Sequence, residues 1–360
     1  MSEPRIRGGW PRTVAINVGM ILCILFVAEI VFGGWVFGPR YGSLIIPKDF
    51  QRRFDATNLY AGGGIIYYKR DEHGLRGEFD DLSKIDILVI GGSTTNELFI
   101  DEKQTWSAVL GQEFRRHGQE VVVVNAGVDG QSTIGHIKNF DLWFPKIPNL
   151  KARYALVYVG INDLHTMDEG YIAESDSLLA LSRQTKRFLM NTSALYGLYR
   201  NIRGMMRARD ARLIHATGSF DGLEWREPSR PPDIAAAERK HAAKLAAYED
   251  RLRELTRRIR AFGARPIFVT QHRAGYRVVG GRVLSPVMKD GTLYVGRYAD
   301  QMAINRKTMR VCGELKAICI DLASDLLFGE NDTYDLFHTT PPASRRIGLY
   351  LYEKLKDIVR

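Results

Sequence analysis

Ser93 stands directly after the run "ILVIGG" (87–92), where four apolar residues end in two glycines and a hydroxyl. A serine hydroxyl is a weak nucleophile until a base takes its proton, so a reactive Ser93 requires a histidine. The chain has eight histidines, and His338 alone follows an aspartate at a useful distance: "DLFH" places Asp335 three residues ahead of it. In that arrangement the carboxylate accepts one ring N–H and leaves the other nitrogen free to face a hydroxyl. Attack by Ser93 on an acyl carbon also needs donors for the developing oxyanion. The Ser93 backbone N–H is one candidate. Gly130 in "NAGVDG" has no Cβ to hold its N–H away, and Asn162 in "GIND" supplies a neutral amide. Asp163 is read as an anchor for that loop rather than a reacting group.

These residues are useful only if the fold brings them together. Five continuous apolar runs, "IDILVI" (85–90), "VVVVN" (121–125), "YALVYV" (154–159), "PIFVT" (266–270) and "AICID" (317–321), have the length of strands. Continuous apolarity means burial on both faces, as in a parallel sheet between helices. Helical patterns fall between them at 105–118, at 238–263 as one long helix stopped by Gly263, and at 341–359 after two prolines. The expected fold is a three-layer α/β/α sandwich with a five-stranded, flavodoxin-like parallel sheet. In such sheets ligands bind beyond the carboxyl ends of the strands. The first three strands end in "GGSTTN", "NAGVDGQST" and "GINDLH", so those clusters should converge.

The four clusters resemble the blocks of the SGNH (GDSL-type) hydrolase superfamily: Gly92-Ser93, Gly130, Gly160-x-Asn162-Asp163 and Asp335-x-x-His338. The similarity covers about residues 65–358. It implies Ser93 as nucleophile, His338 as base and Asp335 as its orienter, with Ser93 N–H, Gly130 and Asn162 forming the oxyanion hole. The chain departs from the usual pattern by reading G-G-S-T-T instead of G-D-S-L, and by carrying Ala343 where a glycine is common. The resemblance implies a serine esterase that removes a small acyl group, most readily acetyl, from a cell-envelope or exported carbohydrate through an acyl-serine. An O-acyltransferase using the same residues, and a lipid or thioester hydrolase, remain alternatives. Gln271, His272 and Arg273, just past the fourth strand, are candidate substrate contacts.

Residues 13–38 form an apolar stretch of 26 residues that carries Glu29 as its single acid and Asn17 as its single amide. As a helix it is long enough to cross about 30 Å of hydrocarbon. Residues 1–12 are read as a short tail, 13–38 as a transmembrane anchor, 39–84 as an irregular lead-in, and 85–360 as the hydrolase domain with a helical insertion at 176–235. The expected location is the inner membrane, single-pass, with the catalytic domain periplasmic and membrane lipid as a partner of the anchor. Within the insertion, 193–213 reads as a basic amphipathic helix, either a membrane contact, a lid or a solvated edge helix. A second irregular stretch is expected at 272–295.

The 360 residues are 45% hydrophobic and 26% charged, which is globular composition. The net charge of +10 is spread along the chain without a nucleic-acid signature, so no nucleic-acid partner is expected. No metal or nucleotide motif is present, and no cofactor is expected. Cys312 and Cys319 are separated by seven positions. On one helix they would lie about 10 Å apart, beyond bridging distance, whereas a helix ending between them would permit pairing. Two buried free thiols are the expectation.

Overall fold

The computed structural model describes residues 10–36, 44, 46–165, 189, 192–210, 220, 222–294, 297–329 and 331–359. Parts of the expected tail and insertion, including 1–9, 166–188 and 211–219, lie outside the described residues.

Helix α1 (Trp10–Phe32) opens the chain, and its stretch Arg12–Phe32 is long and apolar enough to cross a membrane. Strands β1 (Phe50–Asp55) and β2 (Ile65–Arg70) pair antiparallel. The lead-in is therefore a hairpin and not irregular: "IIYYKR" alternates buried and exposed residues, with Ile66, Tyr68 and Arg70 facing inward. The layered part follows in alternation. Strand β3 (Ile85–Gly91) leads to α2 (Ser93–Asn96) and α3 (Trp106–Arg116), β4 (Val123–Asn125) to α4 (Thr133–Leu142), and β5 (Ala152–Tyr158) to α5 (Ile161–His165). Next come α6 (Ala194–Asp210), β6 (Trp225–Arg226), α7 (Ile234–Lys240), α8 (Ala242–Ala261) and β7 (Arg265–Val269). The chain closes with β8 (Arg277–Val279), β9 (Arg282–Pro286), α9 (Tyr298–Glu314), β10 (Ile318–Ile320), α10 (Leu322–Asp325) and α11 (Pro341–Leu355).

The central sheet is parallel throughout, in the order β4-β3-β5-β7-β10. Every residue of β3 is buried, as expected for a strand covered on both faces. One face of the sheet, with Ile87, Val89, Leu156 and Ile267, packs on Trp106, Leu110 and Phe114 of α3 and Ile347 and Leu351 of α11. The chain runs outward from β3 to β4, crosses back to β5 on the other side of β3 and continues to β7, so the strand order reverses between β3 and β5 and opens a crevice at their carboxyl ends.

Three further expectations need correction. The helix expected over 238–263 is two helices, since the backbone turns at His241, whose ring lies 3.3 Å from the Asp300 carboxylate. Residues 272–295 are not wholly irregular: β8 and β9 join β6 in a small antiparallel sheet. Cys312 and Cys319 form a disulfide, with their Cα atoms 5.9 Å apart. Helix α9 stops at Glu314 and Lys316 adopts φ 51°, which folds the chain back and brings Cys319 of β10 beside Cys312.

The described chain divides into two compact units, one containing α1 and α6, the other the hairpin and the layered domain. In the first, Glu29 of α1 accepts hydrogen bonds from Ser193 Oγ, from the N–H groups of Ala194 (2.8 Å) and Leu195 (3.2 Å), and from Trp35 Nε1 (2.9 Å).

Candidate active site

The turn that carries Ser93 depends on two side-chain-free positions. A Cβ on Gly91 would overlap the Thr95 side chain, and one on Gly92 would overlap the Asn162 amide nitrogen. The glycines therefore let α2 and the start of α5 close directly onto the end of β3. Ser93 begins α2, so its backbone N–H has no acceptor within the helix. Its side chain is half-buried at the crevice.

His338 arrives from the opposite end of the chain, in the loop before α11. Its Nε2 lies 2.8 Å from Ser93 Oγ, and its Nδ1 lies 2.6 Å from Asp335 Oδ2. The other carboxylate oxygen accepts the N–H groups of Phe337 (2.8 Å) and His338 (2.7 Å). Burial alone would raise the Asp335 carboxyl, but His338 and these backbone donors outweigh it and hold it below the usual carboxylate range. An ionised Asp335 accepts the Nδ1 proton, which leaves Nε2 as the acceptor for the Ser93 hydroxyl. Tyr334 stacks on the imidazole at 5.7 Å between centroids, further limiting its rotation.

The residues expected to stabilise an oxyanion lie on neighbouring loops. Val128 N–H donates to the Gly91 carbonyl at 3.0 Å, binding the loop after β4 to the end of β3. Gly130 occupies the left-handed region of that turn at φ 74° and is exposed. Asn162 Nδ2 donates to the Gln131 carbonyl at 2.8 Å, beside Gly92. Asp163 is fully buried and accepts from Thr133 N (3.1 Å), Thr133 Oγ1 (2.5 Å) and Arg251 (3.3 Å). It ties α5 to the start of α4. Burial raises its carboxyl, with Thr133 and Arg251 opposing the rise.

The segment 271–273 passes behind the site. Gln271 uses both ends of its amide internally, donating to Thr94 Oγ1 at 2.8 Å and accepting from Ile161 N at 2.7 Å. His272 is buried and stacked on Phe328 at 4.1 Å, and burial drives its imidazole down to about 3, so it stays neutral. The Arg273 guanidinium is also buried, 4.8 Å over the ring of Phe337, the neighbour of His338. Gln271 thus braces the serine turn and α5, His272 packs on Phe328 at the wall of a small cleft, and Arg273 lies against the histidine loop.

Several supporting residues escaped the sequence reading. Glu97, one turn after Ser93, accepts from Thr339 Oγ1 at 2.9 Å and from Trp106 N at 2.8 Å, so it links the serine turn to the histidine loop. Burial raises its carboxyl to about 7, against the pull of its hydrogen-bond donors and Arg76. Arg70, from the hairpin, donates to Tyr68 Oη, Asn96 Oδ1 and the carbonyls of Gly74 and Gly127. Arg76 donates to the Asn96 carbonyl and pairs with Glu102 at 2.8 Å. The only local signal was a pair of arginines in "KRDEHGLRG", which gives no indication of what they hold. Among the described residues, no group of three His, Cys, Asp or Glu side chains is placed to hold a metal ion.

Comparison with known proteins agrees with this architecture. Residues 89–346 match the model of the GDSL-like lipase/acylhydrolase family. Similar solved structures include TesA, at 14% identity and a TM-score of 0.42 over 76% of this chain and 98% of that one. They also include the psychrotrophic esterase EstA from Pseudoalteromonas sp., at 13% identity and a TM-score of 0.39 over 76% and 97%. The acetyl xylan esterase AlAXEase is 10% identical, with a TM-score of 0.43 over 77% and 100%. No curated protein matches the chain. With a five-stranded parallel sheet, a serine at the end of its first strand and a family match spanning both the serine and histidine loops, the chain belongs to the GDSL-like lipase/acylhydrolase family and is a serine hydrolase.

Proposed function

We propose that the protein is a serine esterase that removes a small acyl group, acetyl most readily, from a cell-envelope or exported carbohydrate. The observation that carries this reading is the unbroken hydrogen-bond chain from Ser93 Oγ through His338 to Asp335. Ser93 Oγ attacks the acyl carbon while its proton passes to His338 Nε2. The Ser93 N–H, the Gly130 N–H and the Asn162 amide receive the charge that develops on the carbonyl oxygen. Collapse expels the sugar hydroxyl, which takes the proton from His338, and leaves acyl-Ser93. Water then repeats the sequence to release the acid and restore the serine.

The carbohydrate reading draws on the aromatic and polar lining of a narrow cleft beside the histidine loop, with Phe220, Trp225, His272, Tyr276, Arg277, Asn331 and Thr333 around an enclosed space of about 20 Å³. Aromatic faces with convergent polar groups are the usual furniture of sites that orient small ligands. Arg277 lies 4.0 Å over the Trp225 ring, giving that wall a positive charge suited to an acidic sugar. We read α1 as a membrane span and the layered domain as periplasmic. The Cys312–Cys319 disulfide supports an oxidising compartment.

The test is hydrolysis of p-nitrophenyl acetate and of an acetylated oligosaccharide by the full chain in detergent. Ser93→Ala should abolish both while leaving thermal unfolding unchanged, and retained turnover would refute the nucleophile. Acetate appearing in water marks an esterase, whereas acyl transfer to an added oligosaccharide would favour a transferase with the same residues.

A further inference from the structure

We propose that α6 is an interfacial helix whose exposed apolar face lies in the boundary of an anionic lipid bilayer, held at that depth by Glu29. The inference rests on reading α1 as a membrane span. Residues Arg12–Phe32 rise about 31 Å as a helix, close to the thickness of a hydrocarbon core. Glu29 lies three residues before the end of that span, about 4.5 Å from its limit, where the hydrocarbon gives way to headgroups. A carboxylate there is costly unless it is satisfied.

It is satisfied by the start of α6. Ser193 Oγ and the N–H groups of Ala194 and Leu195 all donate to Glu29, and Gly34 N–H donates to the Thr192 carbonyl at 2.7 Å. The first amides of a helix have no acceptors of their own and carry partial positive charge, so a carboxylate is their natural partner. One contact thus resolves two costs, an acid in the membrane and an uncapped helix. It also places the first turn of α6 at the depth of Glu29.

From that turn the helix presents two different faces. Leu198, Tyr199, Ile202 and Met206 are 56%, 53%, 51% and 63% exposed. At about 100° per residue these four positions fall within an arc of about 100°. A row of large apolar side chains on one face is costly in water. The positions of Arg200, Arg203 and Arg207 occupy the adjoining arc, and no acid occurs from Ala194 to Arg209. An apolar stripe bordered by arginines is the pattern of a helix lying in the plane of an anionic surface.

The experiment uses the full chain in nanodiscs of phosphatidylcholine, with or without phosphatidylglycerol, and an environment-sensitive fluorophore on single cysteines. Ile202→Cys reports the apolar face and Gly204→Cys the opposite one, both in a Cys23→Ser background. A lipid-borne quencher should reduce emission severalfold more at 202 than at 204, and the difference should grow with phosphatidylglycerol. Replacing Arg200, Arg203 and Arg207 by Gln should abolish that growth, and Glu29→Ala should weaken quenching at 202. Equal quenching at the two positions, or a blue-shifted but unquenched label at 202 indicating a protein cover, would overturn the proposal. Quenching indifferent to phosphatidylglycerol would overturn the anionic assignment. The native Cys23, exposed on α1, is the separate control: if its label is not quenched, the span reading has failed, and not the reading of α6.

Discussion

Gly92→Ala is the sharpest probe of the proposed oxyanion pocket, because it adds one methyl group and removes none of the reacting residues. The new Cβ would overlap Asn162 Nδ2 and stand 3.2 Å from the Gln131 carbonyl oxygen. The backbone has little room to retreat, since β3 pairs with β5 as far as Gly91 and, past the end of its pairing with β4 at Val89, Val128 N–H holds the Gly91 carbonyl at 3.0 Å. The movable group is the Asn162 amide, which must swing away from the place where an oxyanion would form. Gly92 has φ −89°, so left-handed strain does not contribute. The expected effect is the loss of one oxyanion donor, about 10²–10³ in kcat or about 3–4 kcal/mol of barrier. Ser93, His338 and Asp335 remain in place, so labelling by a fluorophosphonate should persist. Steady-state hydrolysis of p-nitrophenyl acetate by Gly92→Ala, Asn162→Ala and the double variant forms a cycle. If both single changes act on the same amide, the double variant should be about as slow as either alone. Normal turnover in Gly92→Ala, or losses that multiply in the double variant, would refute the assignment of Asn162.

Glu97 should make stability fall as pH rises. Its carboxyl ionises near 4.5 when unfolded and near 7 when buried, so its contribution is present below pH 4.5 and is lost by pH 7. The difference is about 3 kcal/mol at most, and Glu97→Gln should flatten the corresponding part of the melting temperature against pH; an unchanged profile would contradict it. Arg70→Ala should leave Tyr68, Asn96 and two carbonyls without their buried donor, costing about 3 kcal/mol or more in denaturant unfolding and lowering kcat as the serine turn loosens. Opening the Cys312–Cys319 loop by Cys312→Ser/Cys319→Ser should cost about 2–3 kcal/mol in unfolding. Esterase turnover well below the melting temperature should survive that change, because the bridge joins α9 to β10 away from the carboxyl-end loops.

The layered fold could be read from the sequence because its signals are local. Runs such as "IDILVI" and "YALVYV" are too continuously apolar for a half-exposed strand, and the helices between them show their own periodicity and caps. The candidates for chemistry carry local marks too: Ser93 stands at the end of a strand, and Asp335 and His338 are three residues apart in the loop before α11, in residue types suited to acyl chemistry. What the sequence concealed were partnerships across long separations. Nothing near Glu97 announces Thr339, 242 positions later, and nothing near Glu29 announces Ser193, 164 positions later. Strand β2, "IIYYKR", reads in sequence as part of a connector, and only the fold sets its Arg70 against Asn96.

The chain's own order of residues thus determined the parallel sheet, the apolar N-terminal helix and the set of groups available for chemistry, because burial and periodicity act over a few neighbours. Only the tertiary structure decided which groups meet. It set the 2.8 Å approach of His338 to Ser93, the pairing of two cysteines across the end of α9, and the inward commitment of Gln271. Those outcomes depend on where distant segments are pressed together, and an amide or a carboxylate carries no mark of its partner until packing supplies one.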